Sequence, residues 1–265
     1  MRLPKRELGK SGLLLSLLGL GTVKLGRDRG VKYPSGFEIP DDRAAANLLA
    51  LARERGVNLI DTAPAYGASE ERLGALLKGQ RQHWLICTKV GEEFDNGVST
   101  YHFAPEQVRF SVERSLKRLG TDRLDIVLVH SNGDDERIIR ELGTLEALNE
   151  LKRQGKIRAT GMSTKTVEGG LLAARQSDCV MVTWNLQYDN ELPVIDYCRD
   201  HGVGVLIKKA LASGHAALND TPEPVLASFR MLFGHPGVTS AVVGTINPAH
   251  LEANIDACLK AIAEG

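Results

Sequence analysis

The sequence predicts an α/β fold, a (β/α)₈ TIM barrel that forms a single domain over residues 1–265, and three observations support this prediction. Eight short apolar runs alternate with longer amphipathic segments, which is the pattern of a parallel sheet with intervening helices. The length suits one such barrel. The first run ends in Gly19 to Thr22 (GLGT), which does not complete the G-x-G-x-x-G turn of an open dinucleotide-binding sheet. The closed barrel is therefore favoured.

The eight candidate strands follow one another through the whole chain, and no Pro/Gly/Ser-rich linker divides them. Each is a short run of apolar, often β-branched residues between polar segments. They are residues 17–20, 58–61, 84–89, 125–130, 159–162, 180–183, 204–207 and 241–243. Residues 26–41 and 91–104 are predicted to be long loops.

The intervening segments carry helix signals. Asp41 and Ser69 precede amphipathic stretches and are predicted N-caps, because their side-chain oxygens can accept from the first free backbone N–H groups. Pro105 and Pro248 are predicted first-turn residues, where the missing N–H costs nothing.

Charge and cysteine usage limit the classes of partner and compartment. Lys and Arg together number 33, as do Asp and Glu, which argues against a nucleic acid or a membrane surface as the partner. The four cysteines form no C-x-x-C pair, so we expect no metal site and a reducing, cytoplasmic setting. The apolar run over residues 13–20 is too short to span a bilayer. We expect a monomer or a small homo-oligomer.

Three of the apolar runs end in a polar residue that can carry chemistry. Asp61, Lys89 and His130 close the second, third and fourth predicted strands, and Tyr66 lies in the loop after the second. In a (β/α)₈ barrel the active site lies at the carboxyl ends of the strands. We therefore expect these four side chains to meet at the barrel mouth.

These residue types have a chemical logic together. Tyrosine is a poor acid at neutral pH, and a neighbouring ammonium such as Lys89 favours its ionisation. Asp61 can hold Lys89 charged and in place, while His130 can donate a hydrogen bond to a substrate oxygen. The set would provide a general acid beside an electrophilic carbonyl. A metal-dependent hydrolase would need a larger His and Asp cluster at the strand ends, where only His130 and Asp61 qualify.

Five ordered motifs closely resemble those of the aldo-keto reductase family, and the resemblance covers essentially the whole chain. They are residues 61–70 (DTAPAYGASE), 115–122 (SLKRLGTD) continuing to His130, 151–163 (LKRQGKIRATGMS), 211–214 (LASG) and 244–254 (GTINPAHLEAN).

The resemblance implies reduction of aldehyde or ketone carbonyls to alcohols by hydride transfer from NADPH, with NAD as the alternative cofactor. Tyr66 would donate the proton, Asp61 and Lys89 would tune it, and His130 would orient a small-molecule carbonyl substrate. The cofactor-binding residues implied by the family pattern are Gly21, Thr22, Ser163, Thr164, Met181, Lys208, Leu211, Ser213, Gly214, Gly244, Thr245, Asn247, His250 and Asn254.

Four positions depart from the family pattern. Thr164 and Met181 stand where Asn and Gln commonly hold the carboxamide of nicotinamide, and a thioether is only a weak acceptor. Lys208 stands where an aromatic ring often stacks on the nicotinamide, and Ile246 where an arginine often binds the 2′-phosphate of NADP. These departures fit either compensating contacts in a divergent subfamily or relaxed selectivity between NADP and NAD.

A second functional class stays open. The family contains barrels that bind nucleotide without catalysis and act as regulatory or interaction subunits, and the altered residues Met181 and Lys208 are compatible with that role. The four predicted catalytic residues favour the enzyme. The loops after the strands carry no group that names a substrate.

Overall fold

The computed structural model describes residues 1–31, 36–212 and 223–264. Within them, the chain forms a closed parallel barrel and two antiparallel hairpins. The first hairpin precedes the barrel strands and pairs β1 (Lys5–Glu7) with β2 (Leu14–Ser16). The second lies between two barrel strands along the chain and pairs β6 (Glu92–Asp95) with β7 (Val98–Tyr101). The barrel strands, in spatial order, are β3 (Leu18–Gly21), β4 (Leu59–Asp61), β5 (Leu85–Val90), β8 (Leu124–His130), β9 (Ile157–Ser163), β10 (Cys179–Thr183), β11 (Gly204–Lys208) and β12 (Ser240–Val243).

The barrel closes because β12 pairs with β3 in parallel, through Ala241 opposite Leu18 and Val243 opposite Leu20. Each of the eight predicted strands overlaps one barrel strand, so the predicted fold class is confirmed. Helices lie between the strands: α1 (Asp42–Glu54), α2 (Ser69–Leu76), α3 (Pro105–Leu119), α4 (Asp135–Arg140), α5 (Thr144–Arg153), α6 (Val167–Gln176), α7 (Leu192–His201), α8 (Glu223–Gly234) and α9 (Pro248–Ala263).

Three of the four predicted helix starts are confirmed. Asp41 caps α1, since its Oδ1 accepts from Ala44 N at 2.7 Å, and Pro105 and Pro248 open α3 and α9. The prediction that Ser69 is an N-cap is wrong: Ser69 lies inside α2, and its hydroxyl bonds to threonine hydroxyls at the barrel mouth. A short hydroxyl close to other buried polar groups satisfies them instead of the helix end.

Two apolar layers fill the fold. One lies between the barrel and its helices, and the other lies inside the barrel, where side chains of alternate strand residues meet. The inner layer includes Leu8, Leu13 and Leu15 of the N-terminal hairpin, all at most 1% exposed. This hairpin therefore closes the amino-terminal end of the barrel. The run over residues 13–20 owes its apolar character to that role and to β3.

The predicted long loop over residues 91–104 connects β5 to α3, but it contains a hairpin of β6 and β7 that was not predicted. Asn96 and Gly97 have φ of 49° and 87° and form its two-residue turn. An Asn-Gly pair favours such a turn, because both residues tolerate positive φ. Residues 26–41 contain no helix or strand as far as the structure describes them.

The four cysteines Cys87, Cys179, Cys198 and Cys258 are buried and unpaired, as expected for packing residues. Among the helices that the structure describes, none combines the length and the apolar character that a membrane crossing requires.

The hairpin that closes the barrel makes a testable contribution to stability. Leu15→Ala should lower the free energy of unfolding by about 2–5 kcal/mol, because it leaves a cavity in a closed apolar layer. Leu14→Ala is the matched control, since Leu14 lies on the same strand and is 55% exposed. Its effect should stay within about 0.5 kcal/mol. Urea unfolding of both variants makes the comparison, and equal losses would contradict the packing role of Leu15.

Candidate active site

The register of the barrel strands directs the candidate residues to the barrel interior. Successive side chains of a strand point to opposite faces, so a residue two places after an interior residue also faces the interior. Cys87 belongs to the inner apolar layer and Lys89 follows it by two places; Leu59 stands in the same relation to Asp61. Leu128 likewise precedes His130. The strand ends therefore bring these polar groups together above the inner layer.

A buried ion pair occupies the floor of the barrel mouth. Lys89 Nζ donates to Asp61 Oδ1 at 2.6 Å and to the backbone oxygen of Thr62 at 2.9 Å. Lys89 and Asp61 are 2% and 4% exposed. Burial alone would lower the pKa of Lys89, but the Asp61 carboxylate outweighs it and raises that pKa. Lys89 is therefore a fixed cation over the whole working pH range of a protein.

Tyr66 lies directly beside this cation. It ends a 3₁₀ turn, Pro64–Tyr66, and its ring centroid is 4.8 Å from Lys89 Nζ. The ring of His130 meets it edge to face, with centroids 6.4 Å apart. The turn is held by Gly67, whose φ is 60° and where a Cβ would meet the backbone oxygen of Gly26 at 2.1 Å. Only glycine allows this approach.

Hydroxyl groups tie the end of β4 to its neighbours. Thr62 Oγ1 donates to Ser69 Oγ, which donates to Thr22 Oγ1, which in turn donates to the backbone oxygen of Asp61. All three side chains are fully buried. Thr22 was predicted to bind cofactor, but its hydroxyl is used inside the fold, where it fixes the position of Asp61.

His130 has a carboxylate neighbour that the sequence did not single out. Glu92 Oε2 lies 2.8 Å from His130 Nδ1, a contact at ion-pair distance without hydrogen-bond geometry. Burial lowers the pKa of His130, with Lys89 adding to the effect and Glu92 opposing it. Burial would raise the pKa of Glu92, but contacts with His130, Ser99 and Arg27 outweigh it and lower that pKa to about 2. Near neutral pH the pair is thus a neutral imidazole and a carboxylate.

One cavity of about 290 Å³ joins the four predicted catalytic residues to much of the predicted cofactor site. Val23, Ala210 and Val242, which the sequence did not single out, also line it. The predicted cofactor residues that line it are Gly21, Ser163, Met181, Lys208, Leu211, Gly244 and Asn254.

A second cavity of about 640 Å³ adjoins the first and shares His130, Ser163 and Lys208 with it. Thr164 lines this second cavity, and its Oγ1 is buried without a hydrogen-bond partner among the described residues. Glu191 also lines this cavity, and its Oε1 is likewise buried without a hydrogen-bond partner among the described residues.

Lys208 takes the place in this site that an aromatic ring occupies in the family pattern. Its Nζ donates to Ser163 Oγ at 3.0 Å and to the backbone oxygen of Thr164. Burial, with a contribution from Lys209 and against the opposing effect of Glu191, lowers the pKa of Lys208 to about 8. Met181 is 2% exposed and belongs to the inner apolar layer.

The remaining predicted cofactor residues lie around the start of α9. Asn247 caps this helix, accepting from Ala249 N at 2.9 Å, and its own N–H donates to Thr245 Oγ1. Ile246 packs part-buried against the outer apolar layer, while His250 is exposed in the first helical turn. Ser213 and Gly214 lie outside the described residues.

Comparison with known proteins places this architecture in a family. The model of the aldo/keto reductase family matches residues 17–226. A Pseudomonas aeruginosa protein assigned as an aldo-keto reductase is 58% identical, with a TM-score of 0.89 over 97% of this chain and 95% of that one. An aldo-keto reductase of Bacillus halodurans, solved in its holo form, is 26% identical with a TM-score of 0.80, over 97% of this chain and 91% of that one.

Curated relatives show the same likeness at lower coverage. The NADH-specific methylglyoxal reductase of Escherichia coli is 31% identical over 228 residues, which is 79% of this chain and 68% of that protein. In two Bacillus subtilis relatives the matched region spans 65% and 62% of their length, so this chain matches less than two thirds of each. The match over most of the chain and the agreement of fold show that the chain belongs to the aldo/keto reductase family of oxidoreductases.

Proposed function

We propose that this protein reduces aldehyde or ketone carbonyls to alcohols with NADPH, with Tyr66 as the general acid. The observation that carries the proposal is the buried Lys89–Asp61 pair directly beside Tyr66, in a cavity that also holds His130. A buried cation beside a phenol, facing an open cavity, suits proton transfer to a developing alkoxide.

The residues of the site fit a nicotinamide cofactor, although the carboxamide donors differ from the family pattern. Ser163 and Lys208 offer donors, Thr164 has an unused buried hydroxyl, and Met181 gives an apolar wall. At the start of α9, Pro248 has no N–H and the N–H groups of Ala249 and Leu251 are bonded to Asn247, so a phosphate there would meet the backbone N–H of His250 and the positive end of the helix dipole. When bound, the nicotinamide supplies the hydride that reduces the carbonyl carbon.

The chain's own residues would position and protonate the substrate. The hydroxyl of Tyr66 would donate its proton to the carbonyl oxygen, and Lys89 would stabilise the tyrosine anion that remains. His130 lines the same cavity and would contact the same oxygen. The closed apolar layer beneath the site would keep water from entering at its floor.

The setting proposed for this activity follows from composition and fold. We propose a single barrel domain that acts in the cytoplasm on a small molecule, as a monomer or small homo-oligomer, without nucleic-acid or membrane partners. The balanced charge and the absence of cysteine pairs support this proposal.

A non-catalytic nucleotide-binding barrel is the second candidate. Met181 and Lys208, in place of the usual amide and aromatic ring, are the observation that favours it. Oxidation of NADPH in the presence of a panel of aldehydes separates the two candidates. Cofactor binding without any turnover would favour the second.

The proton donor is tested by Tyr66→Phe. This variant should reduce kcat by about 10²–10⁴-fold and leave the Kd for NADPH nearly unchanged, because only the hydroxyl acid is lost. Tyr197→Phe is the control, since Tyr197 stacks on His201 outside the cavity and should keep full turnover. Near-normal turnover of Tyr66→Phe would remove Tyr66 from the mechanism.

The role of Lys89 is tested by the pH profile of reduction. A cation beside a phenol favours the ionised form, so Lys89→Met should move the high-pH fall in kcat to higher pH. The double variant Asp61→Asn/Lys89→Met leaves no unpaired buried charge, so it should show a smaller shift in the same direction, with less loss of stability. An unchanged profile in both variants would exclude Lys89 from tuning the acid.

Cofactor choice is tested by the Kd values for NADPH and NADH, measured by quenching of protein fluorescence. Among the described residues of the α9 start, Ile246 supplies no charge, and the side chains of Asn247 and His250 are the donors nearest to the expected 2′-phosphate. A charge-assisted hydrogen bond is worth about 1.5–3 kcal/mol. We therefore expect NADPH to be preferred, by less than about a thousandfold. A larger preference would require another cation at that phosphate.

A further inference from the structure

The charge of Lys208 has no ion-pair partner among the described residues. Its Nζ contacts Ser163 Oγ and the backbone oxygen of Thr164, both neutral acceptors. Two hydrogen bonds to neutral groups hold the ammonium in place, and the carboxylates of Glu191 and Asp135 attract it without forming an ion pair with it. By contrast, Lys89 of the same cavity is neutralised by Asp61, and Lys209, which also lines it, is exposed to solvent.

Lys208 lies where its charge would act on a ligand of the site. It lines both cavities at the barrel mouth, together with Ser163 and His130. The 290 Å³ cavity also holds Tyr66, so a molecule that reacts beside Tyr66 lies in the same partly buried cavity as the ammonium of Lys208. In such a space a charge is screened less than in water.

We propose that Lys208 makes the site bind the oxidised nicotinamide cofactor more weakly than the reduced one. This inference rests on the proposed function, because it requires the nicotinamide ring to lie in the cavity beside Tyr66. The oxidised ring carries a positive charge and the reduced ring is neutral, whereas the rest of the cofactor is the same in both. A nearby cation therefore repels only one of the two forms. The effect should be about tenfold to a hundredfold in the ratio of the Kd values.

This preference has a consequence for the direction of the reaction. Weaker binding of the oxidised form raises the reduction potential of the bound cofactor, by about 30 mV for each tenfold in the ratio. Lys208 therefore speeds the departure of spent cofactor after a reduction, and it makes the bound reduced cofactor a weaker hydride donor. Between the enzyme-bound species, the same charge favours the reverse reaction, the oxidation of an alcohol.

The preference should depend on pH. Because burial lowers the pKa of Lys208 to about 8, its charge is present below pH 8 and is lost as the pH rises above it. The ratio of the Kd for NADP⁺ to the Kd for NADPH should fall over that interval. The 2′-phosphate is common to both forms, so its own titration cancels in the ratio. The other charged or titratable groups that act on Lys208 or line its cavities are Glu191, Asp135, Lys165, Lys209, His130, Asp61, Tyr66, Lys89 and Tyr188.

The test measures both Kd values, by fluorescence quenching between pH 7 and 9.5, in the native protein and three variants. Lys208→Met removes the charge and should bring the ratio down by about tenfold to a hundredfold at pH 7, with no pH dependence near 8. Lys208→Arg keeps a charge that does not titrate, so the ratio should stay high at every pH. Lys165→Met removes an exposed lysine of the second cavity and should change the ratio much less.

The outcomes separate the inference from the function on which it rests. If Lys208→Met binds both cofactors with the native ratio, or if Lys165→Met lowers the ratio as much, the specific effect of Lys208 is overturned. If the folded native protein binds neither cofactor, the proposed function fails and the inference fails with it. Far-UV circular dichroism and thermal unfolding establish that each variant is folded.

Discussion

The ion pair between Lys89 and Asp61 is the constraint on which the mouth of the barrel depends. Two charges that are almost fully buried lose their hydration. The Coulomb attraction between them offsets this desolvation cost only when their remaining polar atoms also form hydrogen bonds. The backbone oxygen of Thr62 supplies one such contact, and the chain of hydroxyls from Thr62 to Thr22 holds the end of β4 still. The pair therefore contributes little to stability in its own right, and its value lies in keeping a fixed cation next to Tyr66.

Strand periodicity explains why the fold and the central residues could be predicted from the sequence. The eight apolar runs carry the signal of buried parallel strands, and a polar residue that closes such a run must face the mouth if it stands two places after an inner residue. Asp61, Lys89 and His130 satisfy this condition. The proposed acid, Tyr66, was predicted from its place in the loop after the second strand and from its motif, because its 3₁₀ turn has no repeating pattern.

Features that depend on loop geometry could not be reached in the same way. Glu92 approaches His130 only because the β6–β7 hairpin folds over the mouth, and the Asn96-Gly97 pair was the signal for that hairpin. The N-terminal hairpin turns at residues 9–12 (GKSG), where Gly9 and Gly12 adopt positive φ, but no hairpin was predicted there. The family pattern predicted Lys208 at a position where a ring is common, but its contact with Ser163 joins two strands that are distant along the chain.

The N-terminal hairpin closes the amino-terminal end of the barrel and leaves its carboxyl-terminal mouth open. Leu8, Leu13 and Leu15 fill its amino-terminal end, so solvent can reach the ion pair only from the side on which ligands enter. The electric field at the mouth consequently depends on the apolar side chains beneath the ion pair and on the solvent or ligand in the cavity above it. A ligand that binds there displaces the remaining water and strengthens the electrostatic interactions of the charges around it. The hairpin at one end of the barrel thus determines how strongly ligand binding at the other end changes these electrostatic interactions.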